Sequence, residues 1–280
     1  MNKRRYYGGT GDPYSRKGRG SGTGRFKLFL LIGLGMALFQ GVKYLSMSQV
    51  NPVTGEEQRI SWSVEEEVAI GIQSAPQMAQ QHGGLYPDEE AQRFIDVVGQ
   101  KLIDNSFVNE APYPFEFHLL ADQQTVNAFA LPGGQVFITA ALFSRFTTED
   151  QLAGVLGHEI GHVIYRHGAV RVARSSFIQG LVQSAMLLFG GDPSMAEIAN
   201  VVGQYTSMKY GRDQELESDD FGVRVMMEAG YNPEQLVDVM KILKEASGGR
   251  DVPEFQSSHP NPENRIDKIY ESIEKYKTQL

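Results

Sequence analysis

The feature that most constrains this chain is a pentapeptide, His158-Glu159-Ile160-Gly161-His162, lying in an otherwise apolar stretch. Leu152, Val155, Leu156, Ile160, Val163 and Ile164 flank or interleave it, a pattern that predicts a mostly buried helix. Burying polar side chains without partners is costly, so a His-Glu-His cluster inside such a helix needs something to bind. On a helix, residues i and i+4 stand one above the other on the same face. His158 and His162 can therefore reach one Zn²⁺ at about 2.0–2.1 Å. Glu159 is turned about 100° away. It cannot ligate with them, but it can take a proton from a water that the metal acidifies. The bland alternative, a surface helix that happens to carry these residues, conflicts with the apolar flanks.

A catalytic zinc takes three protein ligands and keeps one position open. A third histidine ten residues after the first is absent, because position 168 is Gly and position 165 is Tyr. A carboxylate from a later helix is the other route, and Glu215-Leu216-Glu217-Ser218-Asp219 offers one. Glu215 and Asp219 are four residues apart and share a face. Glu215 can bind the metal while Asp219 accepts the second N–H of a ligand histidine. Alone, this run reads as a solvated acidic face; the waiting histidine pair is what favours the ligand reading.

No cysteine is present, which excludes disulfides, thiolate metal sites and a cysteine nucleophile. The net charge of −8 argues against nucleic acid as a partner. That average hides a split, since eight Lys or Arg fall within residues 1–27 and the remainder is acidic. Residues 1–25 form a basic, Gly-rich tail with no apolar periodicity and are expected to be disordered. Residues 26–45 contain the apolar run Leu28 to Phe39, which Val42, Tyr44 and Leu45 extend to roughly the 20 residues that a bilayer requires. A cleaved signal peptide is the alternative, but its basic region would be unusually long. Positive charge before the segment predicts a single inner-membrane anchor with a cytoplasmic N-terminus and an extracytoplasmic domain.

Residues 46–62 read as a linker with turn signals at Asn51-Pro52 and Gly55, and residues 63–280 as one globular domain. Ser63 and Glu66 suit a capping box opening a helix that Pro76 should kink or end. Asp88 can cap a second helix. Phe115 to Leu119, Asn127 to Leu131 and Gln135 to Thr139 read as strands, the last two joined by Pro132-Gly133-Gly134. Thr148 and Gln151 should open the helix of the pentapeptide, which is expected to run to about His167. There, His167 would be a polar residue suiting the helix dipole. Residues 176–189 read as a buried core helix, too short for a second span. Later helices are expected over about Asp213 to Ala229, from Pro233, and from Pro262 with Ile266, Ile269 and Ile273 inward. The predicted fold is mainly helical α+β, with a small sheet that offers an edge strand before the metal helix and a helical C-terminal half. A sheet edge can pair with an extended peptide, and Gln135, Val136, Phe137, Ile138 and Thr139, or the neighbouring strand, are the candidates.

Four blocks of the chain resemble one family, that of the heat-shock protease HtpX, the CAAX prenyl proteases and the BepA-type envelope proteases. They are Asn127 to Gly134, Gly157 to His162, Arg212 with Glu215-x-x-Ser218-Asp219, and His259-Pro260 with Arg265-Ile266. The resemblance covers about residues 60–275. It implies a zinc metalloendopeptidase with one Zn²⁺ per subunit, polypeptide substrates and a role in envelope protein quality control. It also implies that Glu215, rather than Glu217, is the ligand, and that His259 lies near the metal as a plug or an oxyanion donor. Ser218 stands where the family usually has Ala. The rival readings are a tethered chaperone or adaptor on the same fold, and a zinc amidase acting on cell-wall peptides.

Overall fold

The structure, a computed structural model, describes residues 22–188, 211–246, 259 and 264–280. The basic tail before residue 22 and Pro262 lie outside these. The first helix, α1 (Gly22–Ser46), carries exposed apolar side chains along its length, among them Leu31, Leu38 and Phe39. A two-stranded antiparallel sheet follows, β1 (Ser48–Val50) with β2 (Glu57–Arg59). Next are α2 (Val64–Gln81) and α3 (Glu89–Asp104), each opened by the expected cap. Ser63 and Glu66 form the capping box, and Asp88 accepts from two backbone amides of its helix. Pro76 lies inside α2 and does not end it.

The second sheet has the order β3 (Glu116–Leu120), β5 (Gln135–Thr139), β4 (Ala128–Leu131). β5 pairs in parallel with β3 and antiparallel with β4. Gly133 and Gly134 make the β4–β5 turn with positive φ, which a glycine adopts at no steric cost. After a short α4 (Ala140–Phe143), Thr148 caps α5 (Glu149–Ile164), the pentapeptide helix, in which every residue from Gln151 to Ile164 is buried. The rest is α6 (His167–Leu188), α7 (Arg212–Glu228), α8 (Gln235–Ala246) and α9 (Arg265–Lys277). One hydrophobic core joins α3, the three-stranded sheet, α5, α7, α8 and α9. Leu236, Val239, Met240 and Leu243 face it from α8. On α9, Ile269 and Ile273 do so, but Ile266 is exposed and Arg265 is buried instead.

Three expectations fail for reasons visible in the packing. Residues 46–62 are no free linker, because their turn signals belong to the β1–β2 hairpin, which folds back onto the end of α5. Helix C-termini leave carbonyls without intrahelical partners. Here Asn51 Nδ2 donates to the Ile164 carbonyl at 2.8 Å and Gln58 Nε2 to that of Tyr165 at 2.7 Å. The metal helix stops at Ile164, not His167: Arg166 takes a left-handed φ of 55° and His167 begins α6. Residues 176–188 lie along α1 outside the central core; Tyr44 stacks on Phe177 at 4.5 Å, and a Cβ on Gly33 would strike Leu188.

A non-glycine residue with positive φ is strained and persists only when its surroundings fix it. The Arg166 guanidinium, fully buried, donates from Nε and Nη2 to Glu67 Oε1 at 2.9 and 2.6 Å, and from Nη2 to the Trp62 carbonyl at 2.7 Å. Removing one member of a buried ion pair strands the other's charge, a loss of about 3–5 kcal/mol. The Glu67→Ala variant should lose stability on this scale in urea denaturation, and a midpoint equal to wild type would contradict the assigned role.

Candidate active site

The site forms where α5 crosses α7, and small residues make the crossing close. A Cβ on Gly157 would come within 3.3 Å of the Gly222 Cα, and one on Gly161 within 3.1 Å of the Ser218 Cα. With no side chains between the backbones, the acids of α7 reach the histidines of α5. The imidazoles of His158 and His162 lie on one face, as the i, i+4 spacing predicts, and meet edge to face with their planes 77° apart and their Nε2 atoms 3.0 Å apart. Glu215 from α7 places Oε2 at 3.5 Å from His158 Nε2 and Oε1 at 3.5 Å from His162 Nε2. His259 adds its Nδ1 at 3.1 Å from Glu215 Oε1 and 3.4 Å from His158 Nε2. All four residues are buried.

The proton bookkeeping shows what this group can hold. A carboxylate only accepts hydrogen bonds, so His158 Nδ1 must donate to Asp219 Oδ1, 2.9 Å away. In neutral His158 this leaves Nε2 with a lone pair directed at the other donors. Ligand atoms around a tetrahedral ion with bonds of 2.0–2.1 Å are separated by roughly 3.3 Å. The shortest contacts here, 3.0 to 3.5 Å and involving both oxygens of Glu215, come close to that spacing, and one ligand atom from each of the four residues lies within 4.8 Å of the others. The residues present therefore suit a tetrahedral metal ion.

Electrostatics separates the two glutamates. Burial raises the pKa of Glu215, but His259 and His158 outweigh it and hold the carboxyl well below its usual range. At Glu159 burial wins and pushes the pKa up, and neither carboxylate oxygen has a hydrogen-bond partner among the described residues. Neighbouring acids with pKa values pushed apart have different roles. Glu215 stays ionised, and Glu159 is left able to hold a proton. Burial also opposes charge on His158, yet Asp219 and Glu215 lift its pKa to about 9. Burial takes His162 well below its ordinary value.

Behind the ligands stands Arg265. Its Nε and Nη2 donate to the two oxygens of Asp219 at 2.5 and 2.8 Å, and its Nη1 lies 3.3 Å from Glu215 Oε2. Burial opposes the charge on Asp219, but the guanidinium overcomes it and keeps the carboxyl ionised. The sequence marked Arg265 only as part of a resemblance and did not disclose that it contacts both Glu215 and Asp219. His167 was misread outright. It is buried, with Nδ1 2.9 Å from His162 Nδ1 and Nε2 2.9 Å from Glu217 Oε2. Its distance of five residues from His162 argued against the ligand face. Only the reversed turn at Arg166 brings it back under that ring.

The strand Gln135 to Thr139 is not a pairing edge. As the central strand β5 it has both sides occupied, and all five residues are buried. The outer edge of β3 is also closed. Gln92 donates to the Phe117 carbonyl and accepts from the Leu119 amide, both at 2.8 Å, and Tyr86 N–H donates to the Leu119 carbonyl. The outer edge of β4, the neighbouring strand, has no strand partner among the described residues. A small cleft lined by Ala130, Leu131, Pro132 and His162 joins it to the site.

Comparison with known proteins agrees with this geometry. The chain belongs to peptidase family M48, whose pattern matches residues 89–273. The beta-barrel assembly-enhancing protease of Yersinia pestis is 29% identical over 226 residues, 77% of this chain and 45% of that protein. Its counterpart in Escherichia coli K12 is 30% identical over 191 residues, 65% of this chain and 39% of that one. The mitochondrial metalloendopeptidase OMA1 of Schizosaccharomyces pombe is 27% identical over 248 residues, 86% of this chain and 69% of OMA1. The chain thus spans less than half the length of the two assembly-enhancing proteases.

Removing a carboxylate that orients a ligand histidine usually lowers metal affinity about 10–100-fold. Asp219→Asn should show this loss in a chelator competition titration, and Glu215→Ala a larger one. Retention of wild-type affinity by Glu215→Ala, with loss in Glu217→Ala, would assign the ligand to the wrong acid.

Proposed function

We propose that the chain is a membrane-anchored zinc metalloendopeptidase that cleaves polypeptides in envelope protein quality control. The observation that carries this reading is the convergence of four buried ligand atoms beside the unsatisfied carboxylate of Glu159. His158, His162 and Glu215 would hold the zinc, which when bound acidifies water and polarises a carbonyl. The donor set of nitrogen and carboxylate oxygen, without thiolate, suits zinc at a hydrolytic site. Glu159 accepts the proton of the attacking water at a carboxylate oxygen and passes it to the leaving amine nitrogen. The burial that raises its pKa also matches it to both halves of that task. An extended peptide pairs with the outer edge of β4, which places its backbone alongside His162.

The helix segment Lys27–Ser46 is long and apolar enough to cross a membrane. The eight basic residues in positions 1–27 support an orientation with the N-terminus in the cytoplasm and the catalytic domain outside the inner membrane. Quality control is the reading suggested by the names of the assembly-enhancing relatives.

One observation favours a second reading, in which the fold binds clients without turnover. A catalytic zinc keeps a position open, whereas His259 brings a fourth ligand atom to the group. We take this as a latent peptidase in which His259 fills the water's place.

Two variants separate the readings. Glu159→Gln keeps the shape of the side chain but is a poor proton acceptor; casein digestion should fall by about 10²–10⁴-fold while zinc content stays at one per chain. Digestion at the wild-type rate would remove Glu159 from the mechanism, and a wild type inactive under every condition would favour the binding role. His259→Ala should raise basal digestion, with weaker zinc binding. A drop in turnover at unchanged zinc content would instead make His259 a transition-state donor.

A further inference from the structure

The two ligand histidines are braced differently. His158 is held by Asp219, itself clamped by Arg265 in the interior. Among the described residues, no carboxylate lies at the Nδ1 of His162. Its neighbour there is the Nδ1 of another imidazole, His167, at 2.9 Å, and His167 in turn has its Nε2 2.9 Å from Glu217 Oε2. We infer that His167 is a positioning residue for the metal site, which together with Glu217 fixes the tautomer and ring angle of His162. This rests on the metal-site reading above.

The argument follows from which atoms can donate. Glu217 as a carboxylate only accepts, so the His167 proton sits on Nε2. The Nδ1 of neutral His167 then has a lone pair and accepts from His162 Nδ1–H. That assignment leaves His162 Nε2 unprotonated and aimed at His158 and Glu215, as metal ligation requires. One carboxylate thereby fixes two rings in series. Asp219 fixes only the ring it touches.

The surroundings hold His167 in place. Tyr165 stacks on its ring at 5.5 Å with planes 12° apart, and Ser218 Oγ lies 3.4 Å from its Nδ1. Its backbone position depends on the left-handed turn at Arg166, which Glu67 and the Trp62 carbonyl pin. A right-handed turn there would continue α5 and carry His167 away from His162. Glu217 stands at the outer end, its side chain 37% exposed, so this brace runs from the metal group to the surface.

The test is zinc affinity of the purified full chain, by competition with a chromophoric chelator, alongside the visible spectrum of the cobalt(II)-substituted protein. His167→Leu removes both hydrogen bonds, and its affinity should fall about 10–100-fold with an altered cobalt band. His167→Asn keeps an acceptor where Nδ1 stood and should recover most of the affinity. Glu217→Ala should lose affinity by a smaller factor than His167→Leu. The unfolding midpoint of the metal-free protein serves as the control and should move little in His167→Asn and Glu217→Ala. Wild-type affinity and spectrum in His167→Leu would overturn the inference, as would equal losses in His167→Asn and His167→Leu. Should His167→Leu fail to fold, Glu217→Ala decides: a weakened, spectrally altered site supports the brace, and an unchanged one overturns it. A wild-type chain with no measurable zinc affinity would overturn the metal reading itself, and the brace with it.

Discussion

Close contact between α5 and α7 is the constraint from which the site follows. Two helices normally pack with axes 8–10 Å apart, the distance depending on the side chains at the contact. Here Gly157, Gly161 and Gly222 remove those side chains at the crossing. The carboxylates of Glu215 and Asp219, which are short relative to their task, can then meet His158 and His162. Any Cβ at Gly157 or Gly222 would press on the opposing backbone and push the acids away from the rings. The apolar face around the crossing seals it, so the polar groups inside must satisfy one another or bind an ion.

Charge is balanced locally within this sealed space. Arg265 spans Asp219 and Glu215, and Arg166 spans Glu67 and the β1–β2 segment. Each guanidinium is buried and each supports one end of the metal helix's environment. Arg265 keeps Asp219 ionised and stands against Glu215. Arg166 fixes the turn from which α6 departs, and α6 then lies along α1, which carries the exposed apolar side chains. The pentapeptide helix α5, the hairpin and the apolar helix α1 are therefore linked through one strained residue.

The periodicity of α5 was plain in the sequence, as were the caps at Ser63, Asp88 and Thr148, because these signals are local. The placement of Glu159 beside the histidines was legible for the same reason: its angle relative to them is a property of any helix. Other assignments depended on distant parts of the chain. Asn51 and Gly55 read correctly as turn residues, but nothing near them showed that the hairpin would cover the carbonyls of Ile164 and Tyr165. The β5 segment was recognised as a strand, yet its place between β3 and β4 depends on a parallel pairing with a strand fifteen residues upstream of it. Ile266 and Arg265 exchanged their expected environments because a buried counter-charge, rather than helical period, decides which of them faces inward.

By itself the sequence determined the two histidines, the glutamate between them and the later pair of acids, since fixed spacing on a helix sets which side chains share a face. It also determined the division into a basic N-terminus, an apolar segment and an acidic domain, which composition alone reveals. Tertiary structure decided what surrounds these side chains. Asp219 needs Arg265, 46 residues away, and His162 needs His167, placed by a backbone reversal that no helical pattern encodes. It also decided which strand edge stays open, because hydrogen-bond capacity along a sheet is known only once every neighbour has been placed.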